Sequence, residues 1–129
     1  MQSSTNNNDG ILNSDERERY KRHLSLEGFG EDGQIRLKNS SVIFIGAGGL
    51  GSSAMMYAAA AGIGLIGIID NDKVEISNLQ RQVIHNNSEI GNYKTDSAER
   101  RIKELNPHCK VRTFTKRLNN INAIEILSQ

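Results

Sequence analysis

Apolar residues fall into a few short blocks separated by polar stretches. Val42 to Ile45 reads Val-Ile-Phe-Ile, and Leu65 to Asp70 reads Leu-Ile-Gly-Ile-Ile-Asp. Neither alternates, which is the pattern of strands buried on both faces of a parallel sheet. Val111 to Thr115 is a third strand by its β-branched residues at positions 111, 113 and 115. Helices are predicted between these blocks. Leu50 to Ala61 is rich in Ala and small residues. Lys94 to Leu105 places Ala98, Ile102 and Leu105 on one face and is stopped by Asn106-Pro107. Ile121 to Leu127 places Ile121, Ile124 and Leu127 on one face.

The remaining segments are polar. Residues 1–13 have little to bury and are expected to be a disordered tail. Ser14 is expected to cap a charged helix running to His23, which carries Arg17, Arg19, Lys21 and Arg22. Taken alone, such a run is a solvated helix face. Glu27 to Gly33 reads as a loop, followed by a short helix from Gln34 to Asn39 that sets Ile35 and Leu37, or the Lys38 stem, against the core. Asn71 to Gly91 is a long polar insert containing Ser77-Asn78-Leu79-Gln80-Arg81-Gln82.

The first strand runs directly into Gly46-Ala47-Gly48-Gly49-Leu50-Gly51. Gly46, Gly48 and Gly51 keep the G-x-G-x-x-G spacing, and the strand before and helix after supply the context that gives this spacing meaning. Such a turn lets backbone approach a phosphate closely, and the helix N-terminus offers it free N–H groups. Asp70 closes the second strand, the position from which an acid bonds a ribose hydroxyl. A tight turn and a loop carboxylate without a ligand are the plainer alternatives.

The expected fold class is α/β: a Rossmann-like, doubly wound parallel sheet, first half only, with three strands in the order 3-2-1 and crossover helices. That order leaves Val42 to Ile45 at an open edge, where an apolar strand invites aggregation. Residues 14–129 are therefore expected to be the N-terminal part of a larger domain.

Composition narrows the function. The chain has 129 residues and a net charge of +1, so no overall field favours nucleic acid. Aromatic residues are 5% with no Trp, which argues against base stacking. No apolar run reaches the roughly 18 residues of a membrane span, and the N-terminus lacks a basic-then-apolar signal. A cytoplasmic location is expected, or the plastid stroma if organelle-encoded. The single Cys109 is expected to be a small buried residue. His23, His85 and His108 lack metal-ligand spacing, so no metal site is proposed from them.

Several stretches taken together resemble the adenylating domain of ThiF/MoeB-type enzymes, which are similar to ubiquitin-activating enzymes. These are Arg19-Tyr20-Lys21-Arg22-His23, the glycine turn, Asp70-Asn71-Asp72, Ser77 to Gln82, Gly91 with Lys94, and Asn106-Pro107-His108. Within the family the likeness is to the molybdopterin-synthase adenylyltransferase type, in its front half only.

The resemblance implies adenylation, with ATP, of the C-terminal glycine carboxylate of a ubiquitin-like sulfur-carrier protein. The pathway would be molybdopterin or thiamine sulfur transfer. It implies Gly49 against the nucleotide, Asp70 on the ribose, and Asn78, Arg81 and Lys94 around the phosphates. The nucleotide-binding set is completed by Gly46, Gly48, Gly51, Ser77, Leu79 and Gln80. Arg22, Arg81 and Lys94 carry the catalytic role, and Arg22 reaches the neighbouring subunit of a homodimer. Mg2+ is implied, but the family's metal-binding aspartate, reactive cysteine and zinc-binding C-x-x-C pairs have no match in these residues. Tyr93 stands where the family often has Pro before the lysine. Two other readings stay open: a non-catalytic nucleotide-binding remnant, and a fragment of a dinucleotide-binding oxidoreductase.

Overall fold

A computed structural model describes residues 11–129. The expectation for residues 1–10 of the tail lies outside the described residues. Of the last three tail positions, Leu12 is buried and Asn13 is the helix cap, so ordered packing begins before Ser14. Asn13 accepts from the Glu16 N–H, and Glu16 Oε1 accepts from the Asn13 N–H, a reciprocal capping box.

Three short helices precede the sheet: α1 (Ser14–Arg19), α2 (Lys21–Leu24) and α3 (Gly30–Lys38). The charged run predicted as one helix breaks at Tyr20, whose φ/ψ of −101°/17° leaves the helical region while its ring is buried. The loop predicted to reach Gly33 ends earlier. Gly30 already begins α3, where Gly33 accommodates the Phe29 ring at a distance a side chain would occupy. The residue that α3 buries is Gln34, which donates to the Ala61 carbonyl at 2.8 Å.

The sheet holds β1 (Ser41–Ile45), β2 (Leu65–Ile69) and β3 (Lys110–Phe114), joined by α4 (Gly49–Ala61) and α5 (Lys94–Leu105). All pairs are parallel in the order β1-β2-β3, with Phe44 opposite Ile68 and Ile68 opposite Thr113. This is the predicted order. One face packs Ile66 and Ile68 against Met55 and Ala59 of α4, Ala98 and Ile102 of α5, Ile84 and Cys109. Burial pushes the Cys109 thiol up to about 11.

Two sequence expectations fail at the rim. β1 is not buried on both faces: Ile45 is 63% exposed, while Ile66, Ile68 and Ile69 of the central strand are buried. The apolar run reads alike in both strands, but β1 pairs on one side only. The last helix, α6 (Ala123–Leu127), starts after Ile121, buries Ile126 rather than the predicted face, and leaves Ile124 exposed, as Ile121 is before it. Its five residues are too short for the periodicity to select a face.

Candidate functional site

The site is built around the turn between β1 and α4. Gly46 has φ 101°, a left-handed conformation open to glycine, and its N–H donates to the Ile69 carbonyl at 2.7 Å. Gly48 is the N-cap of α4 with an extended backbone, and no side chain caps the helix. Gly49 and Gly51 lie in the first turn. The leading N–H groups of α4 thus form a partial positive charge without a side-chain acceptor. At Gly48 a Cβ would come within 2.7 Å of the Gln82 side-chain amide, so a larger residue there would displace the end of that side chain.

Between these glycines, Ala47 is fully buried and held from two sides. Its N–H donates to Asp70 Oδ2 at 2.7 Å, and its carbonyl lies 2.8 Å from His85 Nε2. Asp70 Oδ1 accepts from the Asp72 N–H at 2.8 Å. The carboxylate expected on a ribose therefore also ties the end of β2 to the glycine turn. An ionised carboxylate has about four acceptor sites, so two remain for ribose hydroxyls.

The polar insert folds over the turn as two 3-10 turns, Ile76–Asn78 and Asn87–Glu89, and the links between them. Asn78 closes the first by accepting from the Glu75 N–H at 2.9 Å. Arg81 is exposed and its guanidinium donates to the Ser77 carbonyl at 3.2 Å. Leu79 is half-buried and Gln80 exposed. Beyond them the chain turns inward. Gln82 is buried with its Oε1 lacking a partner, and the Ile84 N–H donates to Ser52 Oγ of α4 at 2.9 Å.

Lys94 opens α5, and its N–H donates to the Asp72 carbonyl at 2.9 Å. The residue is only 8% exposed, yet among the described residues no carboxylate lies within ion-pair distance of its ammonium. The ammonium nitrogen is not among the side-chain atoms sealed from solvent without a partner, so it stands open to pair with an anionic ligand.

The fold thus gathers the glycine turn, Asp70 and Lys94 around His85, and sets Ser77, Asn78 and Arg81 in the adjoining turn. Arg22 is not among them. It lines a cavity with Arg19, His23 and Ala60 near the C-terminal end of α4. At 1.5 Å per residue this end lies about 16 Å along the helix from Gly49. Gln82 and His85 are the site residues that sequence reasoning passed over. Gln82 stood inside the resembling stretch, whereas His85 was weighed only as a metal ligand and no spacing signalled its contact with Ala47.

A parallel sheet, a glycine turn opening a helix and an acid ending the second strand define a Rossmann-like α/β domain. The chain belongs to the ThiF family, whose model matches residues 20–129. It is 50% identical over 122 residues to the adenylyltransferase and sulfurtransferase UBA4 of Debaryomyces hansenii, covering 94% of this chain and 27% of that protein. It is 53% identical over 111 residues to a probable molybdopterin-synthase adenylyltransferase of Porphyra purpurea, covering 86% of this chain and 29% of the relative. A solved structure of the E. coli tRNA N6-threonylcarbamoyladenosine dehydratase TcdA in complex with ATP superposes with a TM-score of 0.85 at 28% identity, covering 92% of this chain and 48% of that one. The chain therefore spans less than a third of the length of these two curated relatives.

Proposed function

We propose that this chain forms the ATP-binding front of a carrier-protein adenylyltransferase. The observation that carries the reading is Lys94, a residue with a largely buried stem at the head of α5, whose ammonium has no carboxylate partner among the described residues and is not sealed from solvent. With the uncapped N-terminus of α4 it offers positive charge to a polyphosphate, while Asp70 accepts from ribose hydroxyls. Arg81 is exposed beside them and free to swing from the Ser77 carbonyl to a phosphate. A nicotinamide dinucleotide has no use for this much cationic charge, which favours a triphosphate.

In the reaction, a carrier's C-terminal glycine carboxylate attacks the α-phosphorus of ATP. The bond to the β-phosphate bridging oxygen breaks, and pyrophosphate leaves with that electron pair. The chain's part is to hold the triphosphate and neutralise charge as it moves onto the leaving group. Magnesium supplies further neutralisation in such transfers. Among the described residues no group of three metal-ligating side chains gathers, so no step is assigned to a metal. The substrate class is a ubiquitin-like sulfur carrier, by likeness to the named relatives. Arg22, remote from its own turn, is read as serving the site of a second copy.

The test is ATP–pyrophosphate exchange with a sulfur carrier ending in Gly-Gly. It is run on the 129 residues alone and on a chimera continued after Gln129 with the remainder of the Porphyra purpurea relative. The chimera should catalyse carrier-dependent exchange and the short chain should not. A folded chimera without carrier-dependent exchange would contradict the reading.

A further inference from the structure

His85 is buried at 5% exposure, and the adenylation chemistry makes no direct use of it. Its Nε2 lies 2.8 Å from the Ala47 carbonyl and its Nδ1 lies 2.7 Å from Ser97 Oγ on α5. A carbonyl oxygen can only accept, so Nε2 carries the proton. In the neutral ring Nδ1 is then an acceptor, and the Ser97 hydroxyl donates to it. Burial pushes the ring's pKa down, the Ala47 carbonyl and the charges of Asp70 and Glu89 act upward, and Lys94 acts downward. The ring is neutral at pH 7.

The consequence lies in the peptide that follows. A trans peptide unit is planar, and its C=O and N–H point in opposite directions. Holding the Ala47 carbonyl inward, on the His85 side, turns the Gly48 N–H away from His85. Gly48 is the N-cap of α4, where no side chain caps the helix. The preceding peptide is fixed as well, because the Ala47 N–H is held by Asp70. The glycines on either side leave the backbone free to flip, so this orientation depends on the two side chains.

We propose that His85 is a positioning residue of the nucleotide site, whose Nε2–H fixes the Ala47–Gly48 peptide so that the Gly48 N–H faces the bound phosphates. The inference rests on the reading of the glycine turn as that site. It predicts a loss confined to ligands that carry phosphates. A residue that merely fills the core would affect every ligand alike, through the fold.

The experiment measures dissociation constants for ATP and for adenosine by calorimetry, on wild type, His85→Leu, His85→Gln and Ser97→Ala. Leu approximates the ring's volume without a donor, and Gln restores an N–H. In His85→Leu, ATP should bind about 10- to 100-fold more weakly, the loss of one oriented bond to a charged group. Adenosine should change by no more than about twofold, and His85→Gln should recover most of the ATP affinity. Ser97→Ala frees the tautomer and should cost ATP about two- to fivefold. Equal losses for ATP and adenosine, or unchanged ATP binding in folded His85→Leu, would overturn the proposal. Should His85→Leu not fold, the absence of an ATP-specific loss in Ser97→Ala would overturn it instead. Wild type that binds neither ligand contradicts the nucleotide reading itself, whereas wild type that binds both leaves the variants to decide on His85 alone.

Discussion

Asp70 Oδ2 accepts the Ala47 N–H at 2.7 Å, joining the end of β2 to the turn that follows β1. Its other oxygen accepts the Asp72 N–H at 2.8 Å. One carboxylate thus shapes the glycine turn and offers its remaining lone pairs to a ribose. An amide cannot replace it, because its single oxygen would have to serve both N–H groups. Asp70→Asn should lower stability by about 1–2 kcal/mol, the cost of stranding a partly buried donor. It should also weaken adenosine binding about 10-fold. Urea unfolding and calorimetry read the two effects; unchanged values for both would remove Asp70 from this role.

Lys94 gives a different balance. The Lys94 ammonium makes no ion pair among the described residues and is not sealed from solvent, so Lys94→Met should leave the stability of the unliganded chain within about 1 kcal/mol of wild type. ATP should bind at least about 10-fold more weakly, since a charge-assisted contact to phosphate is lost. Thermal melts with and without ATP check both. A destabilised apo protein with full ATP affinity would mean that the lysine serves the fold alone.

How much of this was legible beforehand varies by residue. β1 and β2 followed from unbroken apolar runs, β3 from its β-branched residues, their order from right-handed crossovers, and α4 and α5 from a small-residue block and clear periodicity. The glycine turn was legible because strand and helix flanked it. The failures share a cause: burial depends on neighbours that a local pattern does not contain. Ile45 and Ile69 sit at the ends of similar runs, yet one belongs to an edge strand and the other to the central strand. Tyr20, where the charged helix breaks, is buried with its hydroxyl accepting from Asn106 Nδ2, 86 positions away, at 2.8 Å. His85 acts through a contact with Ala47, 38 positions away, which periodicity does not encode.

Arg22 and Arg81 should separate in binding assays on this chain. Arg22 lies toward the far end of α4, whereas Arg81 adjoins Gln82 over the glycine turn. Arg22→Ala should leave ATP affinity within about twofold and stability nearly unchanged, as exposed helix positions do. Arg81→Ala should weaken ATP at least about fivefold while sparing adenosine. A large ATP-specific loss in monomeric Arg22→Ala protein would place Arg22 in its own chain's site.

The second turn of the insert is tied to α5 by charge. Glu89 accepts from Arg100 at 2.7 and 2.6 Å and from Asn92 at 2.9 Å. The Arg100 bonds, aided by Asn92, lower the Glu89 carboxyl to about 2. A carboxylate with a depressed folded-state pKa contributes stability above its unfolded value, near 4.5. That contribution is lost as pH falls from about 4.5 to about 2. Arg100→Ala should therefore lower Tm by about 2–4 °C at pH 7, a modest loss in keeping with a partly exposed pair. It should make no difference near pH 2. Equal shifts at both pH values would show that Arg100 stabilises through packing rather than charge.

The central claim is that the glycine turn, Asp70 and Lys94 form a triphosphate site rather than a dinucleotide site. Thermal unfolding of the chain with ATP or NAD at equal concentration tests it most directly. A ligand bound only by the folded state at 100 times its dissociation constant stabilises by about 2.7 kcal/mol. ATP should raise Tm by several degrees and NAD by much less, with Lys94→Met abolishing most of the difference. Protection by NAD without protection by ATP would contradict the account.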